Sequence, residues 1–355
     1  MSRPSARPLG IGHAIGAAVL FGVSTPLSKV LLRDLSPWML AGSLYLGAGV
    51  GLLAVRALSP ASHEPLPSRR ELPWIAVAVL AGGAVAPVLL MEGLRRTPAT
   101  TSSLLLNLEG ALTAAIAWGV FREHVDRRLA LGMALIVAAS ALLSWSGGPM
   151  QGAGSLLGPL LIAGACLGWA IDNNSTRRVS QLDPRILVIA KGLVAGSVNL
   201  GLALSLGQRL PAALPLLGAL ALGFVSYGLS LMLFVLALRN LGTARTGAYF
   251  ALAPFAGALA SIAVLGEHPA WTFYVASAAM ALGLGLHLSE RHAHLHRHPP
   301  VEHEHAHAHD EHHRHDHPSG VHAVDGHSHM HRHDSLEHDH PHYPDTHHRH
   351  PHDAA

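Results

Sequence analysis

Apolar residues dominate ten stretches of this chain, and short polar breaks separate them. The stretches run Leu9–Leu32, Trp38–Leu58, Leu72–Leu94, Pro98–Phe121, Leu129–Ser146, Ser155–Asn174, Pro184–Leu206, Ala212–Leu238, Thr243–Gly266 and Pro269–Leu288. Each is roughly 18 to 27 residues long, the length a helix needs to cross about 30 Å of hydrocarbon. Within them apolar residues lie on every face, so neither the alternation of a half-buried strand nor the single stripe of a surface helix fits. A soluble fold would need polar helices to wrap ten buried ones, and the sequence contains none. The pattern predicts an all-α membrane protein with ten transmembrane helices.

The ten stretches divide into two fives. Shifting the chain by 144 positions lays Leu94-Arg95 over Leu238-Arg239, Leu108 over Leu252, Ala114 over Ala258, and Val120, Glu123 and His124 over Val264, Glu267 and His268. Residues 1–146 are read as a first five-helix repeat, 147–154 as a glycine-rich connecting loop and 155–288 as a second repeat. Five is odd, so the second copy must lie inverted in the membrane, as in transporters that work by alternating access. The segments Phe21–Lys29, Phe121-Arg122-Glu123-His124, Trp169–Asn174 and Leu241–Tyr249 resemble the drug/metabolite transporter superfamily, specifically its ten-helix EamA branch. That resemblance covers roughly residues 10–288. It implies an inner-membrane transporter, often an exporter of metabolites or amino acids driven by an ion gradient, and it leaves the solute open because solutes vary among proteins of one fold.

Charge adds an orientation. The formal charge of +2 conceals −6 on residues 291–355, from five Arg against eleven acids, and therefore +8 on the body. With the N-terminus cytoplasmic, twelve basic residues outside the hydrophobic interior fall on the cytoplasmic side and four, Arg33, Arg95, Arg96 and Arg209, on the other. This bias, with an even number of crossings, places both termini in the cytoplasm, and the resemblance implies that the membrane is a bacterial inner membrane. The first stretch, although Arg3 and Arg7 precede it, lacks a small-residue cleavage site and is read as retained. Cys166, the one cysteine, is read as a packing residue.

Charges at membrane depth are costly and mark candidate sites. Glu109 lies near the midplane beside Asn107 and is read as a solute-contacting or proton-titrating carboxylate, against a purely structural hydrogen bond. Asp172 and Lys191 are expected at equal depth on neighbouring helices, as an ion pair or as the lining of a vestibule, with Asn173, Asn174 and Asn199 nearby. Arg245 and Tyr249 add a candidate contact in the ninth stretch. Glu92 is explained by a local pair with Arg95 and Arg96, and Lys29 by snorkelling towards Asp34. Pro26, Pro87 and Pro254 are expected to interrupt their helices and act as hinges. Small residues at four-residue spacing, Gly164 with Gly168, Gly192 with Gly196, and Ser43, Gly47 and Gly51, are read as packing contacts.

Residues 289–355 differ from everything before them. Twenty-four of the chain's 29 histidines lie between His292 and His352. With few aliphatic residues to bury, this tail is expected to be disordered. Imidazole binds zinc, nickel and cobalt, and His303, His305, His307, His309, His312, His313, His315, His317, His327, His329, His331 and His333 are the candidate ligands. The tail would also gain charge as the pH falls through about 6.5. No such ligand cluster appears within the stretches, and no nucleophile-and-base constellation or phosphate loop marks an enzyme. The expected function is therefore secondary export of a small metabolite or amino-acid-like solute, coupled to protons or sodium, with a divalent metal at the tail. The body requires no cofactor, nucleic acid is not a partner, and a homodimer is compatible with the sequence. Transport of the metal itself and a membrane-tethered metal buffer are the alternatives.

Overall fold

The structure, a computed structural model, describes residues 6–58, 68–122, 125, 127–145, 156–177 and 184–288, and in the tail 292–298, 301–307, 327–333 and 336–342. The chain forms two compact units, Met1–Ser289 and Glu290–Ala355. Within the described residues the first unit is helical throughout. Its elements are α1 (Ala6–Leu31), α2 (Pro37–Ala57), α3 (Leu72–Ala78), α4 (Ala86–Arg96), α5 (Ala99–Leu105), α6 (Leu108–Phe121), α7 (Arg127–Trp145), α8 (Leu157–Thr176), α9 (Pro184–Ser205), α10 (Ala213–Gly223), α11 (Ser230–Leu241), α12 (Thr243–Phe250), α13 (Ala253–Leu265) and α14 (Trp271–Leu288).

Grouped into membrane passes, these elements make ten. Eight are long and apolar enough to cross a membrane. The other two are α8, whose apolar run is diluted by Asp172, Asn173 and Asn174, and the shorter α14. Local chemistry sets several ends. Ser36 accepts a hydrogen bond from the Met39 amide ahead of Pro37, an N-cap followed by a proline whose missing N–H costs nothing there. Gly266, at φ 64°, closes α13 in the left-handed conformation.

The four composite passes are where the repeat becomes visible. A π-helical segment, Val79–Val85, joins α3 to α4, and another, Phe224–Leu229, joins α10 to α11. The fourth pass breaks at Leu106-Asn107 between α5 and α6, and the ninth at Ala251-Leu252 between α12 and α13. Each irregularity recurs 144 or 145 positions later, the offset read from sequence. The packing is paired in the same way. α1 packs on α11 and α13, while α8, its counterpart, packs on α4 and α6. The self-related contacts are α2 with α9 and α7 with α14, and the fourth pass meets the ninth through α5 and α13. Inverted repeats account for this arrangement. Where α2 crosses α9 the backbones touch, so that a Cβ on Gly192 would lie 2.6 Å from the Gly49 backbone. Such close approach needs small residues, and Gly47, Gly51, Gly168 and Gly196 stand at comparable contacts.

The three prolines differ in their surroundings. α1 runs through Pro26 without a break, and Pro87 and Pro254 occupy the first turns of α4 and α13, where a proline is tolerated. Pro87 and Pro254 directly follow the Val79–Val85 π segment and the Ala251-Leu252 break, whereas the Phe224–Leu229 segment and the Leu106-Asn107 break have no proline beside them.

The described segments of the tail lie in two paired ladders. β1 (His292–His298) pairs antiparallel with β4 (Leu336–His342), and β2 (Val301–His307) with β3 (His327–His333). Histidine at every second position matches the two-residue period of a strand, which satisfies the backbone groups that an unpaired segment would leave to water. Of the candidate ligands in the tail, His309, His312, His313, His315 and His317 lie outside the described residues, as do Glu123, His124 and the 147–154 loop.

Candidate functional site

The irregular third pass creates the site. In a π turn the regular i to i−4 hydrogen bonds are displaced, freeing carbonyls. The Gly82 carbonyl accepts hydrogen bonds from the Tyr45 hydroxyl at 2.7 Å and the Trp169 indole N–H at 3.0 Å. Trp169 also donates to the Tyr45 oxygen at 3.3 Å. Two residues on, the Ala84 carbonyl accepts from Asn199 Nδ2 at 3.1 Å. Gly82 itself leaves room for the next layer, because a Cβ at that position would lie 2.1 Å from Asp172 Oδ2. Only glycine lets α8 bring its carboxylate against this segment.

Asp172 and Lys191 form a direct ion pair. Lys191 Nζ lies 2.5 Å from Oδ1 and 2.6 Å from Oδ2, with the side chains only 9% and 14% exposed. Thr176 donates to Asp172 Oδ1 at 3.0 Å. The pair thus neutralises two charges that would otherwise be stranded at membrane depth. On the other side of α8, Asn173 Nδ2 donates to Glu109 Oε1 at 2.9 Å and approaches Thr113 Oγ1 at 3.4 Å. Asn174 donates to the Thr113 carbonyl at 3.1 Å and to Ala170 at 2.9 Å. Glu109 occupies the first turn of α6, directly after the break, where the helix dipole favours an anion. It also lies within electrostatic reach of Asp172 and Lys191.

Sequence-predicted residues therefore fall into two groups. Glu109, Asp172, Asn173, Asn174, Lys191 and Asn199 come together around the third, fourth, sixth and seventh passes. Asn107 is buried but turns to the Leu104 carbonyl and to Met280 Sδ, at 3.0 and 3.7 Å. Arg245 and Tyr249 sit on α12, away from this cluster in the chain, with Arg245 exposed. Lys29 departs from expectation: its ammonium donates to the carbonyls of Leu94, Arg95 and Thr97 rather than snorkelling to Asp34. Carbonyls at a helix C-terminus offer several acceptors to one cation, which a single surface carboxylate does not. Glu92 pairs with Arg95 and Arg96 as its spacing predicts.

Tyr45, Trp169, Gly82 and Thr113 are the members that sequence reasoning missed. Tyr45 carried a signal, since a tyrosine hydroxyl within an apolar stretch must find a partner. Tyr45 also stacks near Tyr227, with ring centroids 5.8 Å apart, and Tyr227 near Phe21 at 5.5 Å, continuing an aromatic wall into the eighth and first passes. Among the described residues, no group of three or more His, Cys, Asp or Glu could hold a metal ion.

Comparison with known proteins agrees with this architecture. An uncharacterized transporter of Methanothermobacter thermautotrophicus is 27% identical over 268 residues, covering 71% of this chain and 78% of that protein. The uncharacterized transporter YvbV of Bacillus subtilis is 29% identical over 182 residues, covering 51% and 58% respectively. A crystal structure of a protein 18% identical in sequence shares the fold with a TM-score of 0.57, covering 81% of this chain and 99% of that one. The model of the EamA-like transporter family matches twice, over residues 8–145 and 156–289, once for each repeat. With two copies of that domain spanning the membrane body, the chain belongs to the EamA-like transporter family.

Proposed function

We propose that the protein is a secondary exporter of a small metabolite or amino-acid-like solute, with proton or sodium coupling, in a bacterial inner membrane with both termini cytoplasmic. The observation that carries this reading is Glu109, a carboxylate at a helix break that accepts a hydrogen bond from the neutral Asn173 amide, beside an ion pair that already cancels its own charge. A carboxylate in that position is available to a proton or to a cationic group of the solute, whereas Asp172 and Lys191 hold each other. Broken helices lining such a site are how transporters expose polar backbone at membrane depth.

The tail is proposed to bind a divalent metal, zinc, nickel or cobalt, on the cytoplasmic side. The register of its strands supports this, setting His303 opposite His331, His305 opposite His329 and His307 opposite His327. Cross-strand partners are the closest pairs a ladder offers. The test is a solute- and metal-tolerance screen of cells expressing the full chain, the chain ended at Glu290 and the Glu109→Gln variant. Export by the body predicts that Glu109→Gln abolishes tolerance to one class of solute while truncation leaves it intact. If truncation removes the phenotype and Glu109→Gln keeps it, the site has been misassigned.

A further inference from the structure

At the end of the bundle where the third pass turns into the fourth, two oppositely charged side chains hold the two helix ends of one turn. Lys29, near the end of α1, donates to the Leu94, Arg95 and Thr97 carbonyls at the C-terminus of α4. Glu267, just after α13, accepts from the Ala99 amide at 2.8 Å, the Thr100 amide at 2.9 Å and the Thr100 hydroxyl at 2.7 Å, at the start of α5. Each charge has the sign that the adjoining helix end favours. The two residues also lie within electrostatic reach of each other.

The connectivity gives these contacts a mechanical meaning. Glu267 belongs to the second repeat, and Lys29 with the 94–100 turn to the first. Directly beneath, α5 packs on α13 and α1 packs on α13. Ser103 lies fully buried at this contact, and its hydroxyl comes within 2.9 Å of where a Gly257 Cβ would stand. This face cannot separate α5 from α13 while the Glu267 contacts persist.

We infer that Lys29 and Glu267 are positioning residues for transport, a charged clamp that seals this end of the site and must release for it to open. The inference rests on the alternating-access reading above. Its test, however, needs no solute, so its failure is distinguishable from failure of the Glu109→Gln screen.

The full chain in lipid nanodiscs, with Cys166→Ser as background and Ser103→Cys as reporter, is labelled with a water-soluble maleimide. Glu267→Gln and Lys29→Met are expected to raise the labelling rate about tenfold, the order expected from losing one charge-assisted hydrogen bond. Hydrogen exchange of the Ala99 and Thr100 amides should accelerate in parallel. Ala276→Cys, buried where α14 packs on α7, is the control and should not respond. Unchanged Ser103→Cys labelling overturns the clamp, and so does an equal rise at Ala276→Cys, which would mean general loosening. Should the charge variants not fold, Thr100→Val removes one donor, keeps both amides and is expected to give a smaller rise at Ser103→Cys alone.

Discussion

Two symmetry-related sides of the membrane body, each built from passes of both repeats, share a backbone but not a chemistry. At the repeat offset, Asp172, Lys191, Glu109 and Gly82 of one side correspond to Ser28, Gly47, Ala253 and Ser226 of the other. Both sides have a π segment at the same place and a broken pass beside it. One carries an ion pair, a carboxylate and a carbonyl bound by two aromatic side chains, while the other carries hydroxyls and small residues. A symmetric scaffold allows two related arrangements of nearly equal energy, and the charges need to be present only once to confer recognition. In the proposed exporter, symmetry supplies the motion and its local violation the site.

The largest break of this comparison should come from Asp172→Asn, which leaves Lys191 buried without its counter-charge. A loss of about 3 kcal/mol or more is expected in thermal unfolding of the solubilised protein, and adding Lys191→Met should restore most of it. Ser28→Ala, at the corresponding place, should change stability by less than about 1 kcal/mol. Next, Gly82→Ala must displace the Asp172 carboxylate, costing about 1–3 kcal/mol by overpacking. Ser226→Ala at the related position removes atoms instead of adding them and should be milder. If the two prove equal, the site asymmetry is not energetic. Glu109→Gln keeps an acceptor for Asn173 and should alter stability by less than about 1 kcal/mol, yet eliminate solute export in the tolerance screen. Among the site variants without a transport phenotype, Tyr45→Phe is the mildest, expected to cost about 0.5–1.5 kcal/mol, because Trp169 still satisfies the Gly82 carbonyl.

Much of this could be read from the residues. The ten passes, the repeat offset and the depth of Asp172, Lys191 and Glu109 follow from hydropathy and spacing, and the structure brings six of the nine site candidates into one neighbourhood around the third, fourth, sixth and seventh passes. The prolines alone do not locate the irregularities: Pro26 lies inside an unbroken α1, whereas Pro87 and Pro254 follow directly on a π segment and a turn. Lys29 misleads, since its nearest acid in sequence, Asp34, is not its nearest acceptor in space.

The sequence by itself determined that this chain crosses a membrane, that it does so as two related halves, and that charges lie at membrane depth in both, Glu109 in the first and Asp172 and Lys191 in the second. Hydrophobic length and the cost of buried charge are local properties, written residue by residue. Which carbonyls the π segments free, that Gly82 makes room for Asp172, and that Glu267 reaches across to hold the start of α5 were decided by the tertiary structure. Those contacts join residues tens to more than a hundred positions apart, and only the packing of one repeat against its inverted copy brings them within hydrogen-bonding distance.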